Sequence, residues 1–220
     1  MALLKKIRDF IFQILSPPFC EACRKFLQQR EILCKNCVQK IVPLVAHDLV
    51  LSSQVKIPVY ALGAYQEPLK CLILAKARSD QLASVYLATQ IYEKTVFRNL
   101  PCDYLVPIPL HWSRRLKRGY NQALIMSEQL QKLRRDVLVA DILQRHQATR
   151  YQAGLSQQAR VNNLKNAFNL KKIDPKIYRD KHLVLVDDVF TSGATVAAAV
   201  RELAALQPKT IAILVACRAV

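Results

Sequence analysis

The sequence predicts an α/β protein: a mainly parallel, doubly wound sheet preceded by a small N-terminal module carrying four cysteines. Three observations predict it. Apolar runs without polar alternation, above all Val184, Leu185 and Val186, are what central parallel strands buried on both faces require. Those runs alternate with segments of helical period, as βα units do. Four of the seven cysteines fall as two C-x-x-C pairs ahead of the first such unit.

In chain order, residues 1–14 place Leu3, Leu4, Ile7, Phe10, Ile11 and Ile14 at helical spacing, with Lys5, Lys6, Arg8 and Asp9 between them. This is an amphipathic helix, too short to span a bilayer. Its apolar stripe runs directly into Pro17 and Pro18, which favours packing on the cysteine module or on a partner over a membrane surface. Cys20, Cys23, Cys34 and Cys37 then read C-x-x-C, ten residues, C-x-x-C. Two turn-borne pairs at that spacing suit tetrahedral zinc, and four thiolates leave no position for water, so the expected zinc is structural. Nothing ahead of them reads as a cleavable signal peptide, so disulfides are not expected and the protein is expected to be cytoplasmic. Cys71, Cys102 and Cys217 sit in apolar runs as core thiols.

The expected organisation is a helix and four-cysteine module over 1–42, a connector over 43–55 and the main domain over 56–220. Strands are expected over 56–65, 103–109, 137–143, 182–188 and 210–217, where short apolar runs end at turn residues. Helices are expected over 68–77, 81–97, 120–135, 156–164 and 194–206. Leu124, Met126, Leu130 and Leu133 would form the inner side of the 120–135 helix.

Lys and Arg number 33 against 16 acids, a formal charge of +17. A multiply charged anionic ligand or an anionic polymer is the partner such a balance suits. The excess is concentrated: residues 111–135 carry seven basic residues against Glu128 alone. A 52% hydrophobic composition excludes global disorder, and no apolar stretch approaches the roughly 20 residues of a membrane span.

The most informative segment is LVLVDDVFTSGAT, residues 183–195. Asp187 and Asp188 end an apolar strand, where open α/β sheets bind ligands, and their acceptors suit a sugar's vicinal hydroxyls. Thr191, Ser192, Gly193, Ala194 and Thr195 then enter a helix whose first N–H groups have no internal partner, which makes an anion cradle. Glycine admits close approach or positive φ, and the hydroxyls can donate to phosphate oxygens. The plain alternative is an N-capped helix in which these side chains serve only as caps. The acid-acid, hydroxyl-hydroxyl-glycine order resembles the phosphoribosyl pyrophosphate (PRPP) loop of the type I phosphoribosyltransferases, with Ser192 where that family more often has Thr.

A second segment, VPIPLHWSRRLKRGYNQ at 106–122, turns from a strand end into a basic loop. Pro107 and Pro109 stiffen its start, and Arg forks take phosphate oxygens in pairs. A solvated basic turn is the alternative. Together with the four cysteines, V-P-x-P-L-H at 106–111, R-G-[FY]-N-Q at 118–122, and the series Gln152, Leu155, Ser156, Arg160, Asn163, Ala167, Phe168, the chain resembles the ComF (GntX-like) family of competence-associated, phosphoribosyltransferase-like proteins.

That resemblance implies a type I phosphoribosyltransferase-like domain that binds PRPP with Mg2+. Asp187 and Asp188 would hold the ribose hydroxyls as the catalytic acids, and residues 191–195 the 5-phosphate. Lys76, Arg114, Arg115 and Arg118 would face pyrophosphate, and Gln152 and Arg160 would lie on a covering loop. It also implies single-stranded DNA as a partner, protein partners of the DNA-uptake machinery through the zinc module, and a role in natural transformation. A metabolic phosphoribosyltransferase acting on a base or amine, and a non-catalytic PRPP-sensing regulator, fit the same residues. Trp112 and Tyr120 suit either base stacking or packing. His111 reads as a loop residue, and His47, His146 and His182 as structural or exposed.

Overall fold

Strand β7 (His182–Phe190) is the axis of the molecule, and the other elements are arranged around it. The computed structural model describes residues 18–29, 31–51, 55–75, 81–110, 119–145 and 167–219. Before β7 come helix α1 (Lys35–Gln39), strands β1 (Leu44–Val50) and β2 (Lys56–Ala64), helices α2 (Leu69–Ala75) and α3 (Gln81–Lys94), β3 (Tyr104–Pro107), α4 (Gln122–Leu133), β4 (Leu138–Val139), β5 (Leu143–Arg145) and β6 (Phe168–Leu170). After it come α5 (Ala194–Ala204) and β8 (Thr210–Arg218). Six strands form one sheet in the order β1-β2-β8-β7-β3-β4. Its pairs are parallel except β1 with β2, which is antiparallel. β5 and β6 form a separate antiparallel pair. This is the mainly parallel α/β sheet that the sequence predicts.

The unbroken apolar runs exist because the central strands are buried on both faces. Leu183, Val184, Leu185 and Val186 are all fully buried. They divide by the strand's period of two: Val184 and Val186 join one core with Leu87 and Ile91 of α3 and Met126 and Leu130 of α4. Leu183 and Leu185 join the other, with Val196, Val200 and Leu203 of α5. β8 divides in the same way, Leu214 to the first core and Ile213 to the second. Each such side chain contributes about 1.5–3 kcal/mol by leaving water. Cys20, Leu27, Leu33 and Cys37 belong to the first core, so the cysteine module is continuous with the helices that cover the sheet.

Three local expectations are corrected. Residues 43–55, read as a connector, contain edge strand β1, because a strand needs only one paired side and its outer positions, such as Val50, stay exposed. The run 137–143 is split: β4 adds to the main sheet, the chain turns at Ile142, whose N–H donates to Ala140, and β5 leaves to pair with β6. The buried side of α4 is Ala123, Met126, Ser127 and Leu130, with Leu124 and Leu133 only half-buried. Small side chains at 123 and 127 take the closest positions, and the Ser127 hydroxyl is satisfied by donating to the Ala123 carbonyl at 2.8 Å. The helix expected over 156–164 lies outside the described residues.

Strand order also sets where a ligand can sit. From β3 the chain passes through α4 to β4 on one side, and from β7 it passes through α5 to β8 on the other. β3 and β7 are neighbours, so the winding reverses between them. The crevice outside their carboxyl ends is the position at which doubly wound sheets accept ligands.

Candidate functional site

At that reversal the two motif-bearing strand ends lie level. Pro107 pairs with Val186, and the Ile108 N–H donates to the Val186 carbonyl at 2.9 Å. Beyond that point β7 continues along β8 alone, Asp187 opposite Val215 and Val189 opposite Cys217. Asp187 and Asp188 are therefore the first residues past the end of the β3 ladder, and both are half-buried. The Asp188 N–H donates to Asp187 Oδ1 at 2.8 Å, which holds the first carboxylate against the backbone of the second residue.

The loop after the strand is shaped by one glycine. Gly193 has φ +73° and is the N-cap of α5, with no side-chain capping bond. Capping by Thr or Ser, the plain alternative for this motif, is therefore not what fixes the helix start. The positive φ requires glycine, and a Cβ at Gly193 would lie 2.8 Å from Leu49 Cδ1 and 2.9 Å from Phe190 Cζ, so those side chains would have to shift. Thr191 and Ser192 are exposed, and Ala194 and Thr195 half-buried. The first N–H groups of the 11-residue α5 and the positive end of its dipole converge on this turn.

The second motif is anchored at both ends beside the first. Asn121 N-caps α4, its Oδ1 accepting from the Ala123 N–H at 3.1 Å, while its Nδ2 donates to the Ile108 carbonyl at 3.1 Å. Gly119 turns at φ +77° and Tyr120 is buried, so Tyr120 packs and presents no stacking face. Arg114, Arg115 and Arg118 lie outside the described residues, as do Lys76, Gln152, Arg160, His111 and Trp112. His182 sits at the opposite end of β7, its Nδ1 2.8 Å from the Thr210 hydroxyl. Sequence reasoning missed Leu49, whose contact with the glycine turn crosses the sheet order, and the Asn121 clamp, for which an Asn just before a helical period was the available signal.

Cys20, Cys23, Cys34 and Cys37 converge as their spacing predicts. Their sulfurs lie within 4.8 Å of one another, and those of Cys23 and Cys34 are 3.7 Å apart. Metal–sulfur bonds of about 2.3 Å in a tetrahedron require sulfurs about 3.8 Å apart, so the set fits a four-thiolate metal site. All seven cysteines are free of disulfides. The Cys34 N–H donates to Cys20 Sγ at 3.3 Å. Burial opposes ionisation of Cys20, but N–H groups of Cys23, Cys34 and Ala22 outweigh it and bring the thiol down to about 6. Burial and the neighbouring sulfurs push Cys37 upward. A cation among them would remove that conflict by favouring four thiolates together. Phe19 and Phe26 stack edge-on at 6.0 Å over the first turn. Among the described residues no helix is long and apolar enough to cross a membrane.

The chain's similarities converge on the same assignment. A phosphoribosyl transferase domain family matches residues 116–219, which carry α4, both carboxylates, the glycine turn and β8. Competence protein F of Haemophilus influenzae is 33% identical over 190 residues, covering 83% of this chain and 77% of that protein. The DNA utilization protein YhgH of Escherichia coli K12 is 30% identical over 190 residues, covering 81% and 80%. An identity of that extent, on a chain that joins a four-cysteine cluster to a parallel α/β sheet with this strand-end loop, places the protein in the competence protein F family, as a member with a phosphoribosyl transferase domain.

Proposed function

We propose that the crevice at the ends of β3 and β7 binds PRPP with Mg2+, and that the protein handles single-stranded DNA during uptake in natural transformation. One observation carries the reading: the hydroxyl-glycine turn at the start of α5 and the anchored basic segment leave adjacent strands at the point where the winding reverses. The names of the relatives, a competence protein and a DNA utilization protein, supply the biological setting. The formal charge of +17 suits a polyanionic partner.

In this reading residues 191–195 take the 5-phosphate and Asp187 and Asp188 the ribose hydroxyls. Arg114, Arg115, Arg118 and Lys76 face the pyrophosphate, whose charge bound Mg2+ helps to neutralise. Gln152 and Arg160 close over the ligand. Their joint effect is to hold the sugar in place and to stabilise charge developing on a departing pyrophosphate, the demand of an oxocarbenium-like transition state. The four cysteines hold a structural zinc in a module over residues 1–42, which also offers a surface to protein partners, ahead of the domain whose sheet begins with β1. The setting is the cytoplasm, where an incoming strand is first handled.

Titration with PRPP and Mg2+ tests the first half. Saturable binding is expected, and Asp187→Asn or Asp188→Asn should weaken it at least about tenfold, or about 1.4 kcal/mol. Undiminished binding in both variants refutes the assignment. For the second half, the log affinity for a single strand should fall with log salt by about 0.7 per phosphate neutralised. A flat response removes DNA from the account.

A further inference from the structure

A second concavity lies away from the crevice. A groove of about 700 Å³ separates the cysteine module from α3, with Ile32 and Val38 on one wall and Leu82, Val85 and Tyr86 on the other. Leu82 is 66% exposed, a large apolar side chain presented to water on an otherwise well-buried helix. At the floor is Gln90, only 5% exposed. Its Nε2 donates to Glu93 at 2.9 Å, while its Oε1 is buried with no hydrogen-bond partner. A buried acceptor left unpaired is a cost that a donor entering the groove would remove. The rim carries Glu31 and Glu93 beside Lys35, and neither carboxylate has an ion-pair partner among the described residues.

The geometry points to the chain's own N-terminal segment, residues 1–17, as the occupant of this groove, with Leu3, Ile7, Phe10, Ile11 and Ile14 laid against the apolar walls. The charge is complementary: two carboxylates beside Lys35 at the rim suit a segment carrying Lys5, Lys6 and Arg8 against Asp9 alone. The chain also enters at the right place. The Glu21 N–H donates to the carbonyl of Ile32, a wall residue, at 2.9 Å. Pro17 is four residues before Glu21 and so within about 14 Å of it even when fully extended. A 15-residue helix is about 22 Å long.

This inference does not depend on PRPP or DNA binding. It is tested on the full-length, metal-loaded protein by placing a photo-cross-linking residue at the exposed groove position, Leu82→p-benzoylphenylalanine, and mapping the adducts by mass spectrometry. The expected result is a cross-link at monomer mass to a peptide from residues 1–17. Its yield should fall about tenfold in Ile7→Glu/Ile11→Glu, which makes the stripe polar, with metal content unchanged. Adducts at dimer mass, adducts only to other segments, or full yield in the double variant would each overturn it.

Discussion

Gly193→Ala isolates what the turn at the head of α5 requires. The substitution adds one methyl group, and two separate penalties follow from the structure. An alanine at φ +73° sits in the left-handed region, at a cost of about 1–2 kcal/mol. Its Cβ would also be placed 2.8 Å from Leu49 Cδ1 and 2.9 Å from Phe190 Cζ, and overpacking of that kind costs about 1–3 kcal/mol. The sum is about 2–5 kcal/mol, which for a chain of this size lowers the melting temperature by roughly 4–20 °C. The double variant Leu49→Ala/Gly193→Ala separates the two: relief of the Leu49 clash should make it less destabilised than the two single changes added together. Calorimetric melts of the four proteins measure this, and PRPP titration should show at least a tenfold loss in Gly193→Ala as the turn shifts. A Gly193→Ala protein with native melting temperature and PRPP affinity would refute the close approach and the cradle together.

Other perturbations reach different parts of the molecule. Stripping the metal with a chelator should destabilise the whole domain, because Cys20 and Cys37 share a core with Leu87, Ile91 and Val186; an unchanged melt by circular dichroism would contradict that continuity. Asn121→Ala removes both the α4 cap and the tie to Ile108 and should cost about 1–2 kcal/mol while weakening PRPP binding, as read by denaturant titration and calorimetry. Burial pushes the Cys102 thiol up from 9.0 to about 12, so it stays neutral in the folded state after the unfolded chain would ionise it. That contribution is complete below pH 9 and is lost as pH rises toward 12, so Cys102→Ala should flatten the alkaline decline in stability over that window. An equally steep decline in the variant would count against it.

Much of this architecture can be read directly from residue order, and the exceptions have physical causes. β7 is legible because both its faces are apolar, which leaves a run of Leu and Val that no amphipathic element would show. The cysteine set is legible because ligand spacing is a local property. β1 is not, since an edge strand with one paired side tolerates Asp48 and exposed Val50 and so carries no continuous apolar signal. The inner face of α4 is half legible: Met126 and Leu130 are buried as the helical period predicts, while close packing selects Ala123 and Ser127 over the larger Leu124 and Leu133. Within the site, the acid pair and the glycine turn announce themselves by residue type. Leu49 does not, because it meets Gly193 only once β1, β2, β8 and β7 are side by side.

The central claim, that the crevice between the ends of β3 and β7 is a PRPP receptacle, is tested most directly by residue-resolved amide NMR during titration with PRPP and Mg2+. The account predicts saturable shifts concentrated at Asp187, Asp188, Thr191–Thr195 and Ile108, with the cysteine module and the groove beside α3 unaffected. Saturable shifts confined to those distant regions, or none at residues 187–195, would contradict it.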